Sequence, residues 1–215
     1  LEMRQRIKRA HLVREAINGF FWRNGGTGFF LPWSWKQEQG GWFDTAANCF
    51  AVAFGLADKE QSESILNYID EHRLDEPYPV RVMHPTIQPG DRDWREYYRT
   101  EHDLNLPDQY HNGGVWPWVG GLYVAALVKA GRLEKAREAL YRLAQADRLG
   151  RKREWEFNEW LHGVSGEPRG SADQAWSAGM YLYAYTCVKE GREPVLDTME
   201  SAETQLLHNT AHTHV

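Results

Sequence analysis

The sequence is short of cysteine, of long apolar runs and of net positive charge, and each shortage excludes something. Its 215 residues include two cysteines, Cys49 and Cys187. Both lie inside apolar runs of helical character and read as small core residues in a reducing, cytoplasmic setting. No stretch reaches the roughly 18 apolar residues that a membrane helix needs. The charged start, Leu1 to Ala10, also lacks the apolar run of a signal peptide, so no membrane partner is expected. Thirty acidic residues against 25 basic ones leave a net charge of −5. Phosphate backbones select for a basic excess, so nucleic acid is not an expected partner either. Asn24-Gly25-Gly26-Thr27-Gly28 reads as a turn without the Gly-Lys-Ser/Thr of a phosphate loop, and the sequence carries no cofactor motif. His208, His212 and His214 have no cysteine or acidic ligand placed beside them, so they read as a polar tail rather than a metal site.

Aromatic residues are abundant instead. Ten Trp, ten Tyr and eight Phe bring their share to 13%, and the tryptophans cluster. Composition leaves two readings open: a core of large side chains, or a cleft whose flat apolar walls stack against sugar rings.

Apolar periodicity predicts six helices, over about 4–22, 46–55, 59–71, 118–130, 133–146 and 173–189. The second, fourth and sixth are apolar nearly all round, which predicts burial on every side. The first, third and fifth carry charge on one face and belong to an outer layer. Asp44 or Thr45 is placed to cap the second helix. A loop dense in Trp, Gly and polar residues precedes each inner helix, so these loops share one end of the inner layer. Alternation of this kind predicts a single all-α domain of helical hairpins, three pairs of an (α/α) toroid whose complete form has six. The irregular stretch from Tyr78 to Asn105 is too long for a simple connection. With Trp94, Tyr97 and Tyr98 in it, it is expected to pack over the site.

Two motifs carry chemistry. In Gln109-Tyr110-His111-Asn112-Gly113-Gly114-Val115-Trp116-Pro117-Trp118, paired glycines beside amide, imidazole and indole groups let a backbone approach a ligand. The plainer alternative is a tight turn into a buried helix, with Pro117 in its first turn. In Glu156-Phe157-Asn158-Glu159-Trp160-Leu161-His162-Gly163, glycines follow at Gly166 and Gly170, then Gln174 and Trp176. A carboxylate among aromatics suits glycoside hydrolysis, where one carboxylate activates water and a second carboxyl protonates the leaving oxygen.

Together with Phe43-Asp44-Thr45, Asn48, Pro89-Gly90-Asp91 and Asp93-Trp94, these motifs resemble the toroidal glycoside hydrolases. That group includes the alkaline/neutral invertases and the amylo-α-1,6-glucosidase (glycogen-debranching) relatives. The resemblance runs from about Gly40 to Tyr185. It implies an inverting hydrolase of α-glucosidic bonds, without cofactor, with Glu159 as catalytic base. The substrate-binding candidates are Asp44, Gln109, His111, Asn112, Gly113, Gly114, Trp116, Trp118, Trp160, Gln174 and Trp176. Where the invertases have two Tyr and an Asp after the base, Trp160, Leu161 and His162 stand here.

The resemblance also puts the general acid, an Asp, in the first half of the ring and before Leu1. The chain is then expected to be the C-terminal half of the catalytic domain, closed by the missing half or by a second copy. Asp44 is the one internal substitute for the acid, though a helix N-terminus stabilises its ionised form. The Pro89-Gly90-Asp91 turn and the Trp116-Pro117-Trp118 run lean toward a debranching-type oligosaccharide substrate. Sucrose cleavage and a non-catalytic sugar-binding module are the alternatives. The helical reading predicts a far-ultraviolet circular dichroism spectrum dominated by helix. Strand content above about a fifth, near the globular average, would contradict it.

Overall fold

A computed structural model describes residues 2–23, 28–32, 41–96 and 104–194. The turn at 24–27, Tyr97, Tyr98 and the histidines at 208, 212 and 214 lie outside the described residues. Regular structure is helical: α1 Glu2–Phe21, α2 Thr45–Ala53, α3 Lys59–Glu71, α4 Pro117–Lys129, α5 Leu133–Arg148 and α6 Ala175–Glu190. Three antiparallel pairs of two-residue strands accompany them: β1 Trp22–Arg23 with β2 Phe29–Phe30, β3 Phe43–Asp44 with β4 Met83–His84, and β5 Trp160–Leu161 with β6 Pro168–Arg169. Among the described residues, no helix is long and apolar enough to cross a membrane.

Local chemistry accounts for where the helices start and stop. Asp44 caps α2, its carboxylate accepting from Ala47 N at 2.8 Å. Asp58 and Gln61 close a reciprocal capping box at the head of α3. Pro117 opens α4, where its missing N–H would have had no partner anyway. The last helix was expected from about Asp173 and begins at Ala175. Asp173 is held left-handed at φ 59, and the N–H groups of Asp173 and Gln174 donate to Glu156 O and Phe157 O outside the helix.

Packing follows the predicted alternation. The inner helix α4 packs against α2 on one side and α6 on the other, while α3 lies outside α2 and α5 outside α4 and α6. Eleven of the thirteen residues of α4 are buried, which is why its sequence is apolar all round. The chain is thus all-α and forms an arc of helical hairpins, part of a toroid. Salt bridges join the outer layer: Arg132 pairs with Glu63 and Asp70, and Lys135 reaches Asp70 and the buried Asp75. Both cysteines are free and buried.

One expectation fails. Helix α6 is apolar all round, yet only Ser177, Ala184 and Cys187 are fully buried, and Leu182 is 63% exposed beside exposed Trp176 and Tyr185. Helices α4 and α5 cover one side of it, and no described helix covers the other. Phe50 and Phe54 at the far side of the arc are likewise exposed and stack on one another.

The α4–α6 contact depends on close backbone approach. A Cβ at Gly121 would lie 2.6 Å from Met180 O, a backbone atom that cannot turn aside. Gly121→Val is therefore expected to lower stability by about 1–3 kcal/mol or more, the usual cost of overpacking. Urea unfolding midpoints check this.

Candidate functional site

The loops before the three inner helices meet through their backbones. Strand β3 pairs with β4, and Thr45 N continues that pairing to Val82 O at 3.0 Å. Val82 N donates to Gly114 O at 3.0 Å, while Val115 and Leu161 exchange both of their bonds at 2.8 Å. Leu161 then faces Pro168 in β6. Five short segments from distant parts of the chain thus form one irregular rim across the end of the inner layer.

The glycines of both motifs serve this rim. A Cβ at Gly163 would meet Gly113 O at 2.1 Å, and one at Gly114 would meet Tyr110 O and N at 2.6 and 2.7 Å. Gly163 thus lets two loops touch and Gly114 lets its own turn close, where the sequence suggested room for a ligand. Asn112 is also framework. Its buried amide donates to Ile87 O and Asn105 O and accepts from Ile87 N, so it anchors the 78–96 segment to the rim. Asn48 does the same for β2, bonding both N and O of Phe30.

Glu159 stands on this rim, half-buried. Its N–H donates to Ser171 O at 2.8 Å, and Oε2 accepts from Ser171 N at 2.9 Å. Gly170, at φ 67, leaves the space the carboxylate occupies, since a Cβ there would sit 2.6 Å from Oε2. The third glycine of the spaced motif is therefore adjacent to the carboxylate itself. No hydrogen bond joins a described residue to Oε1, which leaves that oxygen unengaged.

His111 links this carboxylate to a second one. Its accessible ring stacks on Trp116 at 4.8 Å between centroids and 6° between planes. Partial desolvation lowers its pKa, while Asp44 and then Glu159 oppose that shift as nearby negative charges. Asp44 makes the predicted cap, but its pKa is raised. Desolvation outweighs the bonds from Ala47 and Ala46 and the attraction of His111. Reasoning from the helix N-terminus alone gave the opposite direction, because it left burial out.

The aromatic candidates do not all face one ligand. Trp116 and Trp160 are 6% and 3% exposed, and Tyr110 lies between them at 5.0 and 5.8 Å. Tyr110 is thus the centre of the aromatic cluster, a role the motif's polar residues obscured. His111 covers the face of Trp116, so the imidazole is the flat surface offered there. Trp118 is half-buried in the first turn of α4 and packs on the main core. Trp176, 50% exposed, opens α6 beside Gln174, whose backbone N and O tie it to Phe157 O and the N–H groups of Ser177 and Ala178. Gln109, half-buried, forms backbone bridges to Asn112 and Gly113. A surface cleft of about 570 Å³ lies elsewhere, against 148–154, and includes none of Asp44, His111 or Glu159.

A half-buried carboxylate held by one oxygen, an imidazole beside it and a second carboxyl with raised pKa are groups able to exchange protons, gathered at one end of an arc of helical hairpins. The chain belongs to the alkaline and neutral invertase family, whose family model matches residues 22–191. It is 38% identical over 148 residues to probable alkaline/neutral invertase D of Arabidopsis thaliana, covering 66% of this chain and 26% of that protein. Cytosolic invertase 1 of Oryza sativa subsp. japonica is 33% identical over 148 residues, with 66% and 25% covered. Alkaline/neutral invertase C, mitochondrial, of Arabidopsis thaliana is 26% identical over 172 residues, with 73% and 25% covered. The chain spans about a quarter of the length of these curated relatives. Among solved structures, a GH63 mannosylglycerate hydrolase from Thermus thermophilus superposes with a TM-score of 0.48 at 18% identity, over 66% of this chain and 29% of that one.

Beneath the Glu159 loop lies Asp147, fully buried, both carboxylate oxygens without a hydrogen-bond partner among the described residues and its pKa pushed up to about 8 by desolvation. An unfolded Asp ionises near 3.8. As pH rises past that value the unfolded chain releases a proton that the folded chain keeps, so stability falls until about pH 8 and then levels. Asp147→Asn removes the titration. Melting temperatures measured across this range are expected to flatten in the variant, and an unchanged slope would contradict the assignment.

Proposed function

We propose that this chain carries the base of an inverting glycoside hydrolase, with Glu159 activating the attacking water and the α-glucosidic bond of sucrose as the first candidate substrate bond. The observation that carries it is the asymmetric hold on Glu159. Ser171 N fixes Oε2 while Oε1 stays available, so the carboxylate is oriented without losing its capacity to accept a proton. His111 beside it presents a flat face and ring nitrogens for sugar hydroxyls. Membership of the invertase family supports sucrose. A debranching-type α-1,6 bond is the second reading, favoured by the Pro89-Gly90-Asp91 turn and the Trp116-Pro117-Trp118 run. The Trp160-Leu161-His162 departure does not separate the two. Trp160 and Leu161 are buried, and His162 Nδ1 accepts from the N–H groups of Val164 and Ser165.

Inversion needs a second, protonated carboxyl about 6.5–9.5 Å from the base. The family resemblance assigns that role to an Asp outside residues 1–215. Asp44 is the internal candidate, with burial raising its pKa in the direction a donor requires. The exposed Trp176, Leu182 and Tyr185 on α6 support association with further helices, from a longer protein or from a second copy.

The test compares the active protein with Glu159→Gln and Asp44→Asn on sucrose, maltose and isomaltose. Glu159→Gln is expected to lower turnover by about a hundredfold or more with sugar binding retained, as loss of a general base does. Near-normal turnover would remove Glu159 from the role. If Asp44→Asn alone abolishes hydrolysis by this chain, the donor is Asp44. The preferred sugar decides between sucrose and the α-1,6 bond.

A further inference from the structure

The motif holds a second glutamate, and its surroundings differ sharply from those of Glu159. Glu156 is 3% exposed. Its Oε2 accepts from Arg151 N at 2.9 Å, and its Oε1 accepts from Lys152 N at 2.8 Å and Arg153 N at 3.2 Å. Three successive backbone N–H groups thus converge on one carboxylate, forming a concave anion-binding nest filled from within the chain. The turn closes this tightly because position 150 is glycine, where a Cβ would lie 2.9 Å from Glu156 Cγ and closer still to Arg153 O. Trp155 and Phe157, on either side, are held left-handed at φ 60 and 47. Side-chain-bearing residues enter that region only when their surroundings impose it.

The same turn reaches across to the segment that holds Glu159. Arg151 donates a guanidinium bond to Gly170 O, and Arg153 pairs with Asp173. Glu156 O accepts from Asp173 N at 2.6 Å, and Phe157 O accepts from Gln174 N at 3.0 Å. Between those anchors sit Gly170 and Ser171, which leave space for Glu159 and bond its carboxylate. The contacts therefore run without a break from Glu156 through 151–153 and 170–173 to Glu159.

We infer that Glu156 is a positioning residue for the reaction: its buried carboxylate organises the 151–153 turn, which clamps the 170–173 turn that orients the Glu159 carboxylate. This rests on the reading of Glu159 as the base. An ionised carboxylate suits the nest because it only accepts. A Gln there would turn its NH2 toward a backbone N–H and lose at least one of the three bonds, that from Arg151 when its oxygen keeps Lys152 and Arg153. The three donors, Arg151 N foremost, also hold the Glu156 pKa below the ordinary carboxylate value against the opposing effect of desolvation.

The experiment compares wild type with Glu156→Gln by residue-resolved amide hydrogen exchange and by steady-state kinetics on sucrose, maltose and isomaltose. Exchange at Ser171 and at 151–153 is expected to rise about tenfold or more, with the amides of α4 and α5 unchanged, as local rather than global opening requires. Turnover is expected to fall about tenfold with KM within about twofold, the pattern of a misplaced base rather than a damaged binding surface. Unchanged exchange at Ser171 would overturn the inference, and so would a loss confined to KM. If Glu156→Gln does not fold, Arg153→Ala releases the same clamp from its far end. It is expected to raise exchange at Ser171, and no rise would again overturn the inference. If wild type hydrolyses none of the three sugars, as a protein lacking its general acid would, exchange at Ser171 alone decides whether Glu156 holds the Glu159 carboxylate in place.

Discussion

Two backbone hydrogen bonds between Val115 and Leu161, each 2.8 Å, join the loop before α4 to the loop before α6. Together with the bond from Gly163 N to Asp108 O at 2.7 Å, that pairing brings His111 and Glu159, 48 positions apart in the sequence, onto one rim. Neighbouring pairings depend on the same junction. Val82 N bonds Gly114 O on one side, and Leu161 faces Pro168 on the other. Backbone groups at a buried loop junction must find partners, and here they find one another across loops. The inner helices make the end of the arc rigid, and the rim turns that rigidity into fixed places for side chains.

The glycines follow from this geometry. Gly163 lies against Gly113 O, Gly114 against the Tyr110 backbone, and Gly170 against Glu159. Each is a point where two backbone segments, or a backbone and a carboxylate, come closer than a Cβ permits. Side-chain amides work the same way: Asn48 and Asn112 each satisfy both backbone groups of a single partner residue, Phe30 and Ile87. Much of what makes the motifs recognisable is therefore the cost of assembling the rim. The chemistry rests on fewer residues than the motifs contain.

Electrostatics near the site is a contest between local and tertiary effects. A helix N-terminus stabilises a nearby carboxylate by about 0.3–1 kcal/mol at an exposed position. Removing a charge from water costs more than that when compensation is incomplete. Asp44 shows the second effect winning, since its pKa is raised despite two backbone donors. Glu156 shows the reverse. Three donors outweigh its burial and hold it ionised. The two carboxyls thus shift in opposite directions, Asp44 upward because desolvation dominates and Glu156 downward because its backbone donors do.

By itself the sequence determined the helices, their alternation into inner and outer layers, the cap at Asp44 and the two glycine-rich loops that meet at the rim. These depend on spacing of 3.6 residues, on capping chemistry and on glycine, all properties of neighbours along the chain. Only the tertiary structure decided which candidates face a common space. Trp116 and Trp160 are enclosed around Tyr110, Asn112 is turned to framework, and Ser171 holds Glu159 through a main-chain N–H that no side-chain pattern announces. The protonation tendency of Asp44 and the exposure of one side of α6 were also beyond the sequence. Burial is a property of what comes to lie beside a residue, and for these residues that neighbour is tens of positions away or belongs to no described helix.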